Sequence, residues 1–150
     1  MTNMWRDIEE FHTRFQIPQS EVPGFHSNEM MEFRIRFLQE ELDEFNEAWV
    51  SGDTTKAFDA LIDLVYVALG TAHICNFPFE EGWRHVHDAN MMKRRVKKKT
   101  ASKRDSEFDI VKPKGWVSPE AMLTVILLEK TYQYQRAKFI EENGNDNDTE

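Results

Sequence analysis

Two neighbouring stretches carry carboxylates at helical spacing. The run QEELDEFNEAW holds Glu40, Glu41, Glu44 and Glu47, and the run FDALIDLVYVALG holds Asp59 and Asp63 in an otherwise almost wholly apolar setting. An ionised Asp in such a helix is costly to bury unless a cation or donor compensates it. Two helices that each offer acids on one face can together hold hard divalent ions, which points to metal-assisted phosphate chemistry. At about 100° per residue, Leu38, Leu42, Phe45 and Trp49 form one apolar arc, with Glu41 on its flank and Glu44 about 60° further round. Glu41 and Glu44 are therefore expected where core meets cavity, with Glu40 close by and Glu47 most exposed. Asp59 and Asp63, four apart, share a face. Asp63, among Leu61, Ile62, Leu64 and Val65, is expected to be well buried. A Glu-rich helix is ordinarily a solvated face, and a buried Asp can serve a backbone or tyrosine donor. A solvated face alone does not account for Asp63.

The elements that must position these acids are all helical. Trp5, Ile8, Phe11 and Phe15 recur at helical spacing, so the first helix is predicted over about 3–15. Pro18 to His26 form a loop. Ser27 caps a second helix running to about Val50 and closed by Gly52. Asp53 caps a third, to about His73. The short turn Ser51 to Asp53 makes these two an antiparallel pair that brings the acids face to face. A fourth helix covers about 79–97. The polar, basic stretch 98–117 reads as a loop, and Ser118-Pro119 starts a fifth helix reaching about Glu142. The expectation is one domain over 1–142, an all-α antiparallel bundle of about five helices with a long basic loop before the last, and an acidic mobile tail over 143–150.

Composition narrows the function. The chain has 150 residues, 40% hydrophobic and 12% aromatic, enough for a real core. A formal net charge of −8 makes nucleic acid an unlikely partner for the surface as a whole. Cys75 stands alone and forms no internal disulfide, in keeping with a cytoplasmic location. The N-terminus lacks the character of a secretory signal. The longest apolar run, LVYVALGTA, is short for a membrane span, so no membrane role is expected. The apolar stripes exceed what one small bundle needs.

The spacing Glu40-Glu41-x-x-Glu44, then Asp59-x-x-x-Asp63 followed by Leu64, Val65, Tyr66 and Gly70, resembles the all-α nucleoside triphosphate pyrophosphatases of the MazG-like superfamily. The phosphoribosyl-ATP pyrophosphohydrolase-like subgroup is the most similar. Phe11-His12 with Phe15 resembles that subgroup's N-terminal pattern. His87 to Lys93 resembles its Asn-Met-x-Lys element, and Lys112-Pro113-x-Gly115-Trp116-x-x-Pro119 its lysine-bearing turn. The similarity runs over about residues 8–120, with four motifs in order. Phage-encoded members include the MazZ type, which hydrolyse dGTP or GTP in the host cytoplasm.

The resemblance implies Mg²⁺ or Mn²⁺, about two or three ions per site with substrate. The implied ligands are Glu41, Glu44 and Asp63, with Glu40 as an added ligand or a base orienting water. Ala60 stands where many relatives have Glu, which leaves the role of Asp59 open as a further ligand. Ala89 stands where the subgroup often has a small hydroxyl residue. The implied reaction is hydrolysis of an NTP or dNTP to the monophosphate and pyrophosphate, with purines such as dGTP or GTP favoured. A dUTP, dCTP or phosphoribosyl-ATP substrate is the alternative within the class. A homodimer or homotetramer is also implied, with the nucleotide pocket near a subunit boundary.

Metals on such acids neutralise phosphate and lower the pKa of a water, which Glu40 is placed to deprotonate. Charge on the leaving group calls for cations, and Lys93, Lys112 and Lys114 are the candidates. Asn90 can donate to phosphate or sugar. Trp116 either stacks on a base or anchors its loop. His12 joins the substrate site by resemblance. Tyr66 is spaced to hydrogen-bond a ligand carboxylate. The basic run from Lys93 to Arg104 is either a solvated helix end, a nucleotide or subunit contact, or a nucleic-acid contact. A di-iron bundle needs paired Glu-x-x-His elements, and none is present. A non-enzymatic helical interaction module remains the alternative from another class.

Overall fold

A computed structural model describes residues 3–144. The fold is an all-α bundle of five helices, α1 (Met4–Arg14), α2 (Asn28–Ser51), α3 (Thr54–Ile74), α4 (Phe79–Met91) and α5 (Glu120–Asn143), with one short strand pairing. The chain divides into two compact units, Met1–Phe77 and Pro78–Glu150. Most of the tail expected at 143–150 lies outside the described residues.

In the first unit the helix boundaries follow from capping chemistry. The Asn3 side chain accepts from the Trp5 and Arg6 amides, that of Ser27 from Met30, and that of Asp53 from Thr55 and Lys56. Gly52 ends α2 with φ +74°, a left-handed conformation that glycine takes without strain. Only Gly52 and Asp53 separate α2 from α3, so the two helices run antiparallel as a tight hairpin. The Arg34 side chain bonds to Val67 and Thr71 accordingly, pairing the start of α2 with the end of α3. The short α1 packs on α3, where Ile8 and His12 are buried. Near its end, Cys75 is buried, its thiol donating to the Met31 sulfur at 3.9 Å. The following turn is tied down by Asn76, whose side-chain amide donates to the Glu21 carbonyl.

The buried ridge of α2 differs from the expected one. It is Arg34, Glu41 and Ala48, seven residues apart, whereas Leu42 and Trp49 are exposed and Leu38 and Phe45 are half-buried. The apolar arc read from the sequence is the side of α2 that this unit leaves uncovered. On α3 the same division holds. Ala60, Val67, Gly70 and Ile74 are buried, while Phe58, Leu61, Ile62 and Val65 on the far side are exposed. By length and composition α3 also reaches the range of a membrane span, with mean hydropathy 1.5 over its most apolar window. The nine-residue apolar run understated this because Asp63 interrupts it. A core helix passes the same test, and α3 packs against both α1 and α2.

In the second unit α4 packs on α5. Gly82 lies where an added Cβ would meet the Leu123 side chain at 3.3 Å, so the absence of a side chain permits the close approach. Here α4 stops at Met91, six residues before the expected end, and 98–117 is not a plain loop. Arg94–Arg95 pair antiparallel with Ile110–Val111, and Lys99–Ala101 form a 3₁₀ turn. Asp109 organises this excursion. Its buried carboxylate accepts from the Ser102 hydroxyl (2.8 Å), the Ile110 amide (2.8 Å) and Arg104. The expected last turns of α4 are given up because the backbone at 94–96 bonds instead to the strand and to the Asp109 carbonyl. The fifth helix starts at Glu120, with the Ser118 hydroxyl accepting from the Glu120 amide at 3.5 Å.

Candidate active site

Of the acids picked out by sequence, Glu41 alone is buried, at 7% exposure. It comes from the middle of the α2 ridge, and its Oε2 is buried without a hydrogen-bond partner. Its carboxyl pKa is raised, first by desolvation and then by the charges of Asp63, Glu44, Glu40 and Asp59. Every one of these influences raises it. An unpaired buried carboxylate in the field of four others favours either a proton or a bound cation.

Asp63 shares a cavity of about 300 Å³ with Glu41. Contrary to expectation Asp63 is exposed. It does lie on the arc of Ala60, Val67 and Gly70, but at the cavity, where its side chain stays open to solvent. The remaining walls are Phe11 and His12 from α1, Arg34 and Phe37 from α2, and Tyr66, Val67 and Gly70 from α3. Tyr66 stands edge-on to Phe11 (centroids 5.4 Å apart) and, among the described residues, makes no hydrogen bond to the acids. Burial raises its phenol pKa, with Asp7 and Glu10 adding to the shift.

The other acids line two open hollows beside this cavity. Glu44, Glu47 and Asp59 face one of about 510 Å³ together with Lys56. Glu40, Asp43, Glu44 and Glu47 face another of about 460 Å³ with Arg36 and Gln39. Glu40, Glu44 and Glu47 are exposed alike, so Glu44 does not share the burial of Glu41.

The donor set suits a hard cation, since every member is a carboxylate and one oxygen is orphaned. Among the described residues no three His, Cys, Asp or Glu side chains are grouped so as to hold an ion by themselves. Mg²⁺ is commonly bound by one or two carboxylates with waters and substrate phosphates completing the shell. Glu41 and Asp63 in one cavity match that kind of site.

Sequence reading overlooked Arg34, a buried cation at 7% exposure, with its pKa lowered by desolvation. Its Nε donates to the Thr71 hydroxyl (3.0 Å) and its Nη2 to the Val67 carbonyl (2.7 Å). The signal for it was its place seven residues before Glu41, on the same helical face. His12 is 3% exposed, its ring 4.6 Å from that of His73 and perpendicular to it. Its Nδ1 is buried without a partner. Desolvation, then His73 and Arg34, lower its pKa to about 4, so the ring is neutral at pH 7.

The second unit brings together four of the residues expected to bind substrate. Lys93 donates to the Asn90 side-chain oxygen at 2.6 Å. Lys93 and Lys112 both lie over the Trp116 ring, at 5.4 and 4.3 Å from its centroid. Trp116 donates its ring N–H to the Ala89 carbonyl at 2.7 Å, which is the geometry of an anchor. Lys114 is exposed in the turn before Gly115. In the basic stretch, Lys99 pairs with Asp105 and Arg104 with Asp109, so part of its charge is matched locally and not at a helix end.

The model of the family described as phosphoribosyl-ATP pyrophosphohydrolase matches residues 8–90, which include α2, α3 and every acid of the site. The chain belongs to this family. It is thereby a pyrophosphohydrolase of the MazG-like class, acting on phosphoanhydride bonds, and the family is a soluble enzyme type. No curated protein matches the chain.

Proposed function

We propose that this chain is a cation-dependent nucleoside triphosphate pyrophosphohydrolase of the cytoplasm, releasing pyrophosphate and a monophosphate, with purines such as dGTP or GTP preferred. The observation that carries the reading is the Glu41 carboxylate, buried with one oxygen unpaired beside Asp63 and surrounded by further acids. Glu41 and Asp63 would hold Mg²⁺ or Mn²⁺. Glu44 and Asp59, which share the adjoining hollow, would take part with a further ion. When bound, the cation neutralises phosphate oxygens and acidifies a water. Glu40, exposed in the hollow with Arg36 and Gln39, is the proposed proton acceptor. In the second unit, Lys93, Lys112 and Lys114 are the proposed phosphate-binding cations, with Asn90 donating to phosphate or sugar and Trp116 holding the two lysines that lie over its ring. His12 lines the cavity as a neutral ring. The exposed Phe58, Leu61, Ile62 and Val65 support a homodimer or homotetramer, since a monomer rarely leaves so many apolar groups on one helix face in water.

The test is a screen of every ribo- and deoxynucleoside triphosphate with Mg²⁺, with Mn²⁺ and with chelator. Pyrophosphate and monophosphate should form in equal amounts, fastest from dGTP or GTP, and neither should form in chelator. Release of orthophosphate, or no cleavage of any nucleotide, would overturn the reading.

A further inference from the structure

Arg34 takes no part in the ion pairs Arg36–Glu32, Lys99–Asp105 and Arg104–Asp109, and no carboxylate bonds to it directly, although Glu41 and Asp63 line the same cavity. A buried guanidinium without a carboxylate is costly unless all its donors find acceptors. Two of its nitrogens are fixed on α3. The Thr71 hydroxyl accepts from Nε and itself donates to the Val67 carbonyl at 2.8 Å, and that carbonyl also accepts from Nη2. Nη1 makes no hydrogen bond within the described residues, and Arg34 lines the cavity. Gly70 makes this fit possible, since a Cβ there would stand 3.1 Å from both Arg34 Nη2 and His12 Nε2.

The cavity around Arg34 has flat walls. Phe11, Phe37 and Tyr66 line it, and the guanidinium lies over the Phe37 ring at 5.4 Å. Its volume, about 300 Å³, stands at the small end of ligand pockets and gives room for a heterocycle. Glu41 and Asp63 on the same cavity disfavour a bare phosphate beside Arg34. A neutral planar ring with a hydrogen-bond acceptor on its edge meets every one of these conditions.

We propose that this cavity is a base pocket in which Arg34 donates to a carbonyl on the base edge, so that keto bases (guanine, hypoxanthine, uracil) are accepted over amino bases (adenine, cytosine). The proposal deepens the pyrophosphohydrolase reading and rests on it for the nucleotide class. The donor is held rigid before the ligand arrives, and an amino group in place of the carbonyl sets donor against donor. A paired arginine–base contact discriminates by about tenfold to a hundredfold.

Binding of dGMP, dIMP, dAMP, dUMP and dCMP to the whole chain, measured by calorimetry, tests this without hydrolysis. The keto member of each size class should bind tenfold or more above its amino counterpart, and Arg34→Gln should abolish the difference. Equal binding of keto and amino nucleotides, or a preference unchanged in Arg34→Gln, would overturn it. Should Arg34→Gln fail to fold, the monophosphate of 2-aminopurine, which lacks the guanine carbonyl and with it the N1 proton, tests the pocket on the wild-type protein. It should bind at least tenfold more weakly than dGMP, and equal binding refutes the pocket. Keto selectivity without cleavage of any triphosphate would leave the pocket standing and remove the enzymatic reading. Cleavage without keto selectivity would do the reverse.

Discussion

At the level of single side chains, Glu41 and His12 are both held away from their ordinary protonation behaviour, in opposite senses for stability. The raised pKa of Glu41 means that ionisation of this group weakens the fold as pH rises through its folded value. Glu41→Gln should therefore raise the melting temperature of the cation-free protein and abolish the further rise that Mg²⁺ or Mn²⁺ gives the wild type, read by thermal denaturation. His12 binds protons more readily unfolded, near pH 6.5, than folded, near pH 4. Its contribution is present above pH 6.5 and is lost as pH falls from there towards 4, by on the order of 2 kcal/mol. Urea midpoints of wild type and His12→Gln across pH 4–7 should converge at the acid end. The difference between the two proteins isolates His12 from Glu41, whose protonation works the other way over the same range.

Among the elements, the α2–α3 hairpin decides what the site can be. Its caps were legible, because Ser27, Gly52 and Asp53 act through their own backbone chemistry. The identity of the packed ridge was not. Arg34 was not picked out at all and Glu41 was placed only on the flank of the ridge, because an apolar arc tells which residues leave water without telling which partner removes them. Asp63 was placed on the correct arc but given the wrong burial, since a cavity above a helix leaves no trace in its sequence. The excursion after Met91 was illegible for a different reason, because its order depends on Asp109 collecting donors from residues up to seven positions away. Two glycines separate local from tertiary effects. Gly52→Ala meets nothing within 4 Å and costs only the left-handed backbone, about 1 kcal/mol, with activity retained. Gly70→Ala gains about 1 kcal/mol of helix propensity but overpacks Arg34 and His12, at about 1–3 kcal/mol. Its melting temperature should fall, and base selectivity should fall with it.

For the molecule as a whole, the uncovered faces of α2 and α3 matter most. Leu42, Trp49, Phe58, Leu61, Ile62 and Val65 are exposed on the helices that carry the acids. Self-association through these faces would bury them and stiffen the hairpin. Ile62→Glu should then lower the solution mass determined by light scattering and reduce activity with it. An unchanged mass would assign these faces to something other than self-association. The five helices were readable from their capping and breaking residues, and the family from the spacing of the acids and the motifs around them. Base preference was not, because it depends on Arg34, Gly70 and the rings of Phe11 and Phe37, which come together only once three helices have packed.

The most direct measurement is phosphorus NMR of dGTP turned over in Mg²⁺ or Mn²⁺ by the wild type, Glu41→Gln and Asp63→Asn. The wild type should yield dGMP and pyrophosphate, and each variant should be slower by roughly a hundredfold or more while remaining folded. Undiminished pyrophosphate release by both variants would contradict the assignment of the reaction to the Glu41–Asp63 cavity.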